Sequence, residues 1–233
     1  MCLLTIQDVY KSYFTGKLET PALRGVNLTV DKAEFTAVVG PSGSGKTTLI
    51  NLIGGLDYPD TGRILLEDKE INRLSQKELS DIRLKDIGFI FQSYNLIPVL
   101  TALENVEYVM LLQGRPKKER TAKSLAILEE VGLKDLINKR PNEMSGGQQQ
   151  RVAVARAIVS EPMLVLADEP TANLDSHTSC DLLNLMRKMN EEKHITFIFS
   201  THDPLVMHHA KKVVTLTDGV VTGVEDKEEV QSH

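Results

Sequence analysis

Apolar and polar residues alternate along the first forty positions with the two-residue period of strands. LLTIQDVYKSY (3–13), ALRGVNLTV (22–30) and EFTAVVG (34–40) each read as a strand. A turn signal, DYPDTG at 57–62, leads into a further strand, RILLE. After IGFIFQ at 87–92 the spacing becomes that of amphipathic helices, in ALENVEYVMLL and TAKSLAILEEVGL, over about 101–136. Strand-like apolar runs return at MLVLA (163–167), ITFIFS (195–200) and VVTLTDGVV (213–221). Apolar runs bounded by helices are the pattern of a parallel sheet buried on both faces. The expectation is one α/β domain, its core at about 1–92 and 159–233, with a mostly helical insertion at about 93–158. The tail EDKEEVQSH reads as a solvated end.

Composition narrows the class without naming a chemistry. The chain has 233 residues, 41% hydrophobic and 25% charged, enough for one substantial core. A net charge of -5 argues against nucleic acid as the main partner. Two cysteines, Cys2 and Cys180, are too few for a disulfide framework or a zinc site. The first residues turn polar too quickly for a signal peptide, and no apolar run approaches the roughly 18 residues of a membrane span. The expectation is a protein soluble by itself, reaching a membrane only through a partner.

Two stretches carry phosphate chemistry. GPSGSGKT, from Gly40 to Thr47, follows a strand and opens a helix-like run, TTLINLIGGL. In this loop of Gly40, Pro41, Ser42, Gly43, Ser44, Gly45, Lys46 and Thr47, continued by Thr48, the glycines let successive N–H groups turn inward toward phosphate oxygens. Lys46 supplies charge to the β- and γ-phosphates, and the Thr47 hydroxyl suits Mg²⁺. MLVLADEP then delivers Asp168 at a strand end, where a carboxylate can hold Mg²⁺, with Glu169 beside it as a general base for water. A second anion site is indicated at NEMSGGQQQR, where Ser145 caps a helix and Gly146 and Gly147 leave backbone N–H groups accessible. One chain has no evident need for two such sites.

These residues, taken in order, resemble the nucleotide-binding domain of the ATP-binding-cassette (ABC) family over nearly the whole chain. The match consists of the loop at 40–47, Gln92, SGGQQ at 145–149, the Asp168–Glu169 strand, NLD at 173–175 and His202. The resemblance implies a P-loop NTPase core, an N-terminal antiparallel β-subdomain and a helical subdomain. It implies ATP and Mg²⁺ as cofactors, with Thr47, Gln92 and Asp168 toward the metal and Glu169, His202, Lys46 and Gln92 in catalysis. Tyr13 matches the adenine-stacking aromatic, with Tyr10 and Phe14 as alternatives. The signature residues Ser145, Gly146, Gly147 and Gln148 would meet the ATP of a second copy, with Asp175 along the dimer contact. Three departures are mild: Ala33 where relatives usually have glycine, Met144 for leucine before SGG, and Ala172 for a common glycine.

Within the family, GGLD at 54–57, the stretch 87–106 and LADEPTANLD look most like the lipoprotein-releasing, macrolide-exporting and cell-division ATPases. That likeness implies an ATPase subunit at the cytoplasmic face of the membrane, driving an integral membrane permease. Rival readings are a soluble cassette working on ribosomes or DNA, and an ATP-driven clamp that barely turns over. The absence of a second cassette or long coiled coils speaks against the first, and intact Glu169 and His202 against the second.

Overall fold

The computed structural model describes residues 1–16 and 18–227. The alternation at the start becomes a long hairpin, β1 (Cys2–Thr15) and β2 (Leu18–Asp31). β3 (Phe35–Val39) then runs into the glycine-rich loop and α1 (Lys46–Ile53). β4 (Thr61–Leu66) and the short β5 (Lys69–Glu70) follow, then α2 (Gln76–Lys85) and β6 (Ile87–Phe91). Three helices come next, α3 (Ala102–Leu112), α4 (Lys117–Glu130) and α5 (Gly146–Ile158). The chain finishes with β7 (Leu164–Asp168), α6 (Ser176–Lys193), β8 (Thr196–Thr201), α7 (Pro204–His209), β9 (Lys212–Thr217) and β10 (Val220–Asp226). No helix among the described residues is long and apolar enough to cross a membrane.

The strands form two sheets. An antiparallel one has the order β2-β1-β4-β5, and a six-stranded one the order β10-β9-β3-β8-β7-β6. In the second, β9, β3, β8, β7 and β6 are parallel and only β10 is antiparallel. The run VVTLTDGVV is therefore two strands and not one. Asp218 and Gly219, at φ 48° and 79°, make the left-handed two-residue turn that an Asp-Gly pair favours. The tail also differs from expectation in part: Glu225 and Asp226 complete β10, and Lys227 donates from Nζ to Met207 O at 2.7 Å. Residues 228–233 of that tail lie outside the described residues.

Alternation on the parallel strands sorts side chains into two cores. Phe35, Val165, Ala167, Phe197 and Phe199 face α3, α5 and α6, whereas Val38, Leu164, Leu166 and Ile198 face α1 and the antiparallel sheet. Phe35 packs with ring centroids 5.5 Å from Phe197 and 4.5 Å from Phe199. Such contacts add to the area that each ring removes from water. Helices start where side chains can satisfy their first N–H groups: Ser75 with Glu78 on α2, and Thr101 with Glu104 on α3, both form capping boxes. Asn105 is fully buried on α3. Its amide bonds Ile97 N and O, Leu100 O and Thr101 O, so it fastens the loop before α3.

The turn at Ala33 explains the glycine that the family resemblance leads one to expect there. It sits at φ 60° in the turn before β3, held there by Thr196 Oγ1 on its N–H and by Asn190 on its carbonyl. A Cβ is strained in that region. Ala33→Gly is expected to stabilise the protein by about 0.5–1 kcal/mol, a rise in Tm of about 1–4 °C. A thermal unfolding curve that is unchanged or shifted down would contradict the strain.

Candidate active site

Four parallel strands end within one residue of the same level. Val39 lies opposite Thr201, Ser200 opposite Asp168, and Asp168 opposite Phe91. The residues that follow, Gly40, His202, Glu169 and Gln92, therefore leave the sheet side by side, the usual place for ligands on such sheets. They converge on a cavity of 510 Å³. It is lined by Pro41, Ser42, Gly43, Gly45, Lys46, Thr47 and Thr48 from the loop, and by Gln92, Glu169 and His202.

The loop's curl is enforced by its glycines. Gly43 and Gly45 stand at φ 80° and 104°, and a Cβ on Gly45 would lie 2.5 Å from Ala22 O. Lys46 is 7% exposed, and its Nζ donates to Gly40 O at 2.8 Å and Pro41 O at 3.0 Å. The ammonium thus lies inside the curl, where its charge is directed at whatever the loop holds. Ser44 is buried beneath, and its carbonyl accepts from Gly219 N at 3.0 Å, so the β9–β10 turn props the loop from behind.

At the floor, Thr47 Oγ1 donates to Asp168 Oδ1 at 3.2 Å, and the Ser200 hydroxyl donates to the same oxygen. A hydroxyl and a carboxylate within this reach are hard oxygen donors, the set that Mg²⁺ takes when phosphates supply the rest. Among the described residues there is no group of three or more His, Cys, Asp and Glu to hold a metal. Glu169 takes φ 49° and donates its N–H to Ser200 O at 3.0 Å. A non-glycine residue in that region stores backbone strain, here at the residue whose carboxylate faces the cavity. That carboxylate accepts from Nδ1 of His202 at 2.8 Å, and the His202 side chain is 67% exposed against 19% for Glu169. Gln92 is fixed through its carbonyl, which accepts from Asn173 Nδ2 at 2.9 Å.

Of the three aromatic candidates on β1, none lines the cavity, but Tyr13 touches its rim. Its hydroxyl donates to Asp57 Oδ2 at 2.9 Å and meets the Thr48 hydroxyl, a cavity residue. Tyr10 turns its hydroxyl toward Gly25 on β2, and Phe14 stands 68% exposed.

The signature residues stand apart from the cavity: none of Ser145, Gly146, Gly147 and Gln148 lines it. Ser145 Oγ accepts from Gln148 N at 3.3 Å and Gln148 Oε1 from Ser145 N at 2.9 Å, a capping box on α5. The N–H groups of Gly146 and Gly147 have no partner within the helix and point out of its positive end. Glycine also avoids close contacts here. A Cβ on Gly146 would lie 2.8 Å from the Tyr94 hydroxyl, and one on Gly147 2.5 Å from Thr178 Cγ2. Asp175 caps α6, accepting from Thr178 N at 3.0 Å and Thr178 Oγ1 at 2.7 Å. Those two bonds hold its carboxyl below the usual range.

Sequence patterns did not disclose the side chains that tie these pieces together. Arg156 of α5 donates to Asn95 O at 2.5 Å and Tyr94 O at 2.9 Å, gripping a loop in which both residues have positive φ. Burial pushes its guanidinium pKa down. Gln150 Nε2 donates to Pro170 O at 2.7 Å, and Thr171 Oγ1 to Asp203 Oδ2 at 3.0 Å. The one available signal was Arg156 itself, a charge on the apolar face of a buried helix. Ser200 had none, because its role depends on strand register.

The tight fit at Gly147 gives a direct test. Thr178 is β-branched with few helical rotamers, and turning it away would give up its hydroxyl bond to Asp175 at 2.7 Å, so Gly147→Ala is expected to lose about 1–2 kcal/mol in urea unfolding. Adding Thr178→Ser removes Cγ2, keeps the hydroxyl on Asp175 and is expected to recover most of the loss. No loss in the single variant would show that the contact is not tight.

Comparison with known proteins agrees with this geometry. The ABC transporter family model matches residues 23–172. The chain is 45% identical over 223 residues to an ABC transporter ATP-binding protein of Thermotoga maritima, covering 96% of this chain and 95% of that one. It is 41% identical over 223 residues to the macrolide export ATP-binding/permease protein MacB of Syntrophobacter fumaroxidans, covering 95% of this chain but only 31% of that longer protein. Among solved structures it resembles the dimeric post-hydrolysis state of the ATP-binding cassette MJ0796 bound to ADP and Pi, with a TM-score of 0.89 and 41% identity over 96% of this chain and 98% of that one. A phosphate loop, an in-register Asp-Glu strand end, a signature helix and this breadth of likeness converge: the chain belongs to the ATP-binding proteins of ABC transporters and is an ABC-type ATPase.

Proposed function

We propose that two copies of this chain close around two ATP molecules and thereby drive a separate integral membrane subunit, in a MacB-like system of efflux, lipoprotein release or force transmission. One observation carries the dimer: the signature residues 145–148 form an anion-receptive helix end that does not line the cavity of their own chain. The dimeric state of MJ0796 supports it.

In this reading the loop N–H groups and Lys46 hold the β- and γ-phosphates. Tyr13 stacks on the base, and Ser145, Gly146, Gly147 and Gln148 of the second copy cover the γ-phosphate, with Asp175 along the contact. Mg²⁺ held by Thr47 and Asp168, with Gln92 beside it, would neutralise developing charge on the phosphate oxygens. Glu169 takes the proton of the attacking water and His202 hydrogen-bonds water and phosphate. In-line attack forms the bond from water oxygen to γ-phosphorus and breaks that to the β,γ-bridging oxygen, giving ADP and phosphate. The catalytic groups mostly position and stabilise, so completing the site by closure also times the reaction.

The helical insertion and the loop after Gln92 transmit this closure. A groove of 260 Å³ lined by Phe89, Phe91, Val109, Arg83 and Arg156 adjoins that loop, and it suits a cytoplasmic segment of the membrane subunit. The protein would then sit at the inner face of the membrane through its partner.

Two measurements test the reading. Glu169→Gln protein with Mg-ATP is expected to double its mass by light scattering, because binding persists while proton abstraction is lost; a monomer would sink the sandwich. Tagged chain from detergent-solubilised cells is expected to bring down an integral membrane protein, and recovery of the chain alone would remove the transporter assignment.

A further inference from the structure

β1 places Lys11 and Tyr13 two residues apart, hence on one face. β4 pairs with β1 only as far as Tyr10, opposite Thr61, so beyond that point the strand has a ladder with β2 alone. The missing support comes from the 54–60 connection. Asp60 Oδ2 accepts from Ser12 N at 2.6 Å, and Asp60 N donates to Tyr10 O at 2.9 Å.

Asp57 stands at the centre of this arrangement. One carboxylate oxygen accepts from Lys11 Nζ at 3.0 Å and from Tyr58 N at 2.7 Å, and the other accepts from the Tyr13 hydroxyl at 2.9 Å. Lys11 is only 11% exposed, and Tyr58 O accepts from its Nζ at 2.7 Å. The ammonium also lies over the Tyr13 ring, 5.2 Å from its centroid, which occupies one face and leaves the other. Burial opposes the charged form of Asp57, but the bonds from Lys11, Tyr58 and Tyr13 outweigh it and keep the carboxyl below its ordinary range. A tyrosine 42% exposed would otherwise sample several rotamers.

We propose that Asp57, fixed by Lys11, is a positioning residue that holds the Tyr13 ring ready for the base of the nucleotide. The inference rests on Tyr13 being the base platform, and it assigns to GGLD a role that neither the phosphate loop nor the signature supplies. The ring then meets the base without first losing rotamer freedom, so the effect belongs to the base and not to the phosphates.

Calorimetric titration of the full chain with Mg-ADP and with Mg-pyrophosphate separates the two. Asp57→Asn and, independently, Tyr13→Phe at an exposed position are each expected to weaken ADP about fivefold, the scale of one immobilised side chain, with pyrophosphate unchanged. In a Tyr13→Ala background, Asp57→Asn is expected to cost nothing further. Equal weakening of both ligands, or a loss that persists without the ring, would make Asp57 a general structural group and overturn the proposal. So would unchanged ADP binding in both variants while Tyr13→Ala weakens it. If Tyr13→Ala leaves ADP and pyrophosphate alike at wild-type affinity, the base platform itself is wrong and the anchor falls with it.

Discussion

The register of four parallel strands is the constraint on which this site depends. Because Val39 and Thr201 end their strands only one residue beyond the level of Asp168 and Phe91, the groups that follow all four need only one further residue to reach the cavity. Side chains alternate along a strand, so slipping β7 by one position would turn Asp168 from its Thr47 and Ser200 partners and exchange the two cores. The same bonds that position the carboxylates therefore also decide which residues are buried. Chemistry and stability share one ladder here.

The helical half is attached to that ladder through polar contacts at loop ends. Arg156 grips the carbonyls of Tyr94 and Asn95, Asn173 bonds the carbonyl of Gln92, and Gln150 bonds that of Pro170. Arg156 and Gln150 stand on the signature helix α5 and Asn173 beside it, and each holds a loop that leaves a strand end. Main-chain carbonyls are the acceptors throughout, so side chains at these loop positions can vary while the attachment persists. The glycines at 146 and 147 allow the close approach that these bonds require.

Strand and helix patterns were legible because the core is regular: the continuous apolar runs at β7 and β8 marked strands buried on both faces. The phosphate loop, Asp168, Glu169 and the Ser145 cap were legible because each needs a particular residue type at a fixed spacing. The hairpin at Asp218-Gly219 was missed, since valines on both sides masked a turn signal that the dipeptide itself carries. Asn105 and Asp57 were invisible for another reason. Their partners are backbone atoms of a loop or side chains some forty residues away, and no local pattern reports such pairings.

Among the described residues β6 occupies the edge of the six-stranded sheet, paired on one side only with β7. Displacing β7 or β8 tears two ladders, whereas displacing β6 tears one. Of the four strands that feed the cavity, the one bearing Gln92 is thus mechanically the softest. It is also the one whose following loop is clasped by the helices. A push delivered there would reach the cavity with less disturbance of the three inner strands than one delivered through any of them.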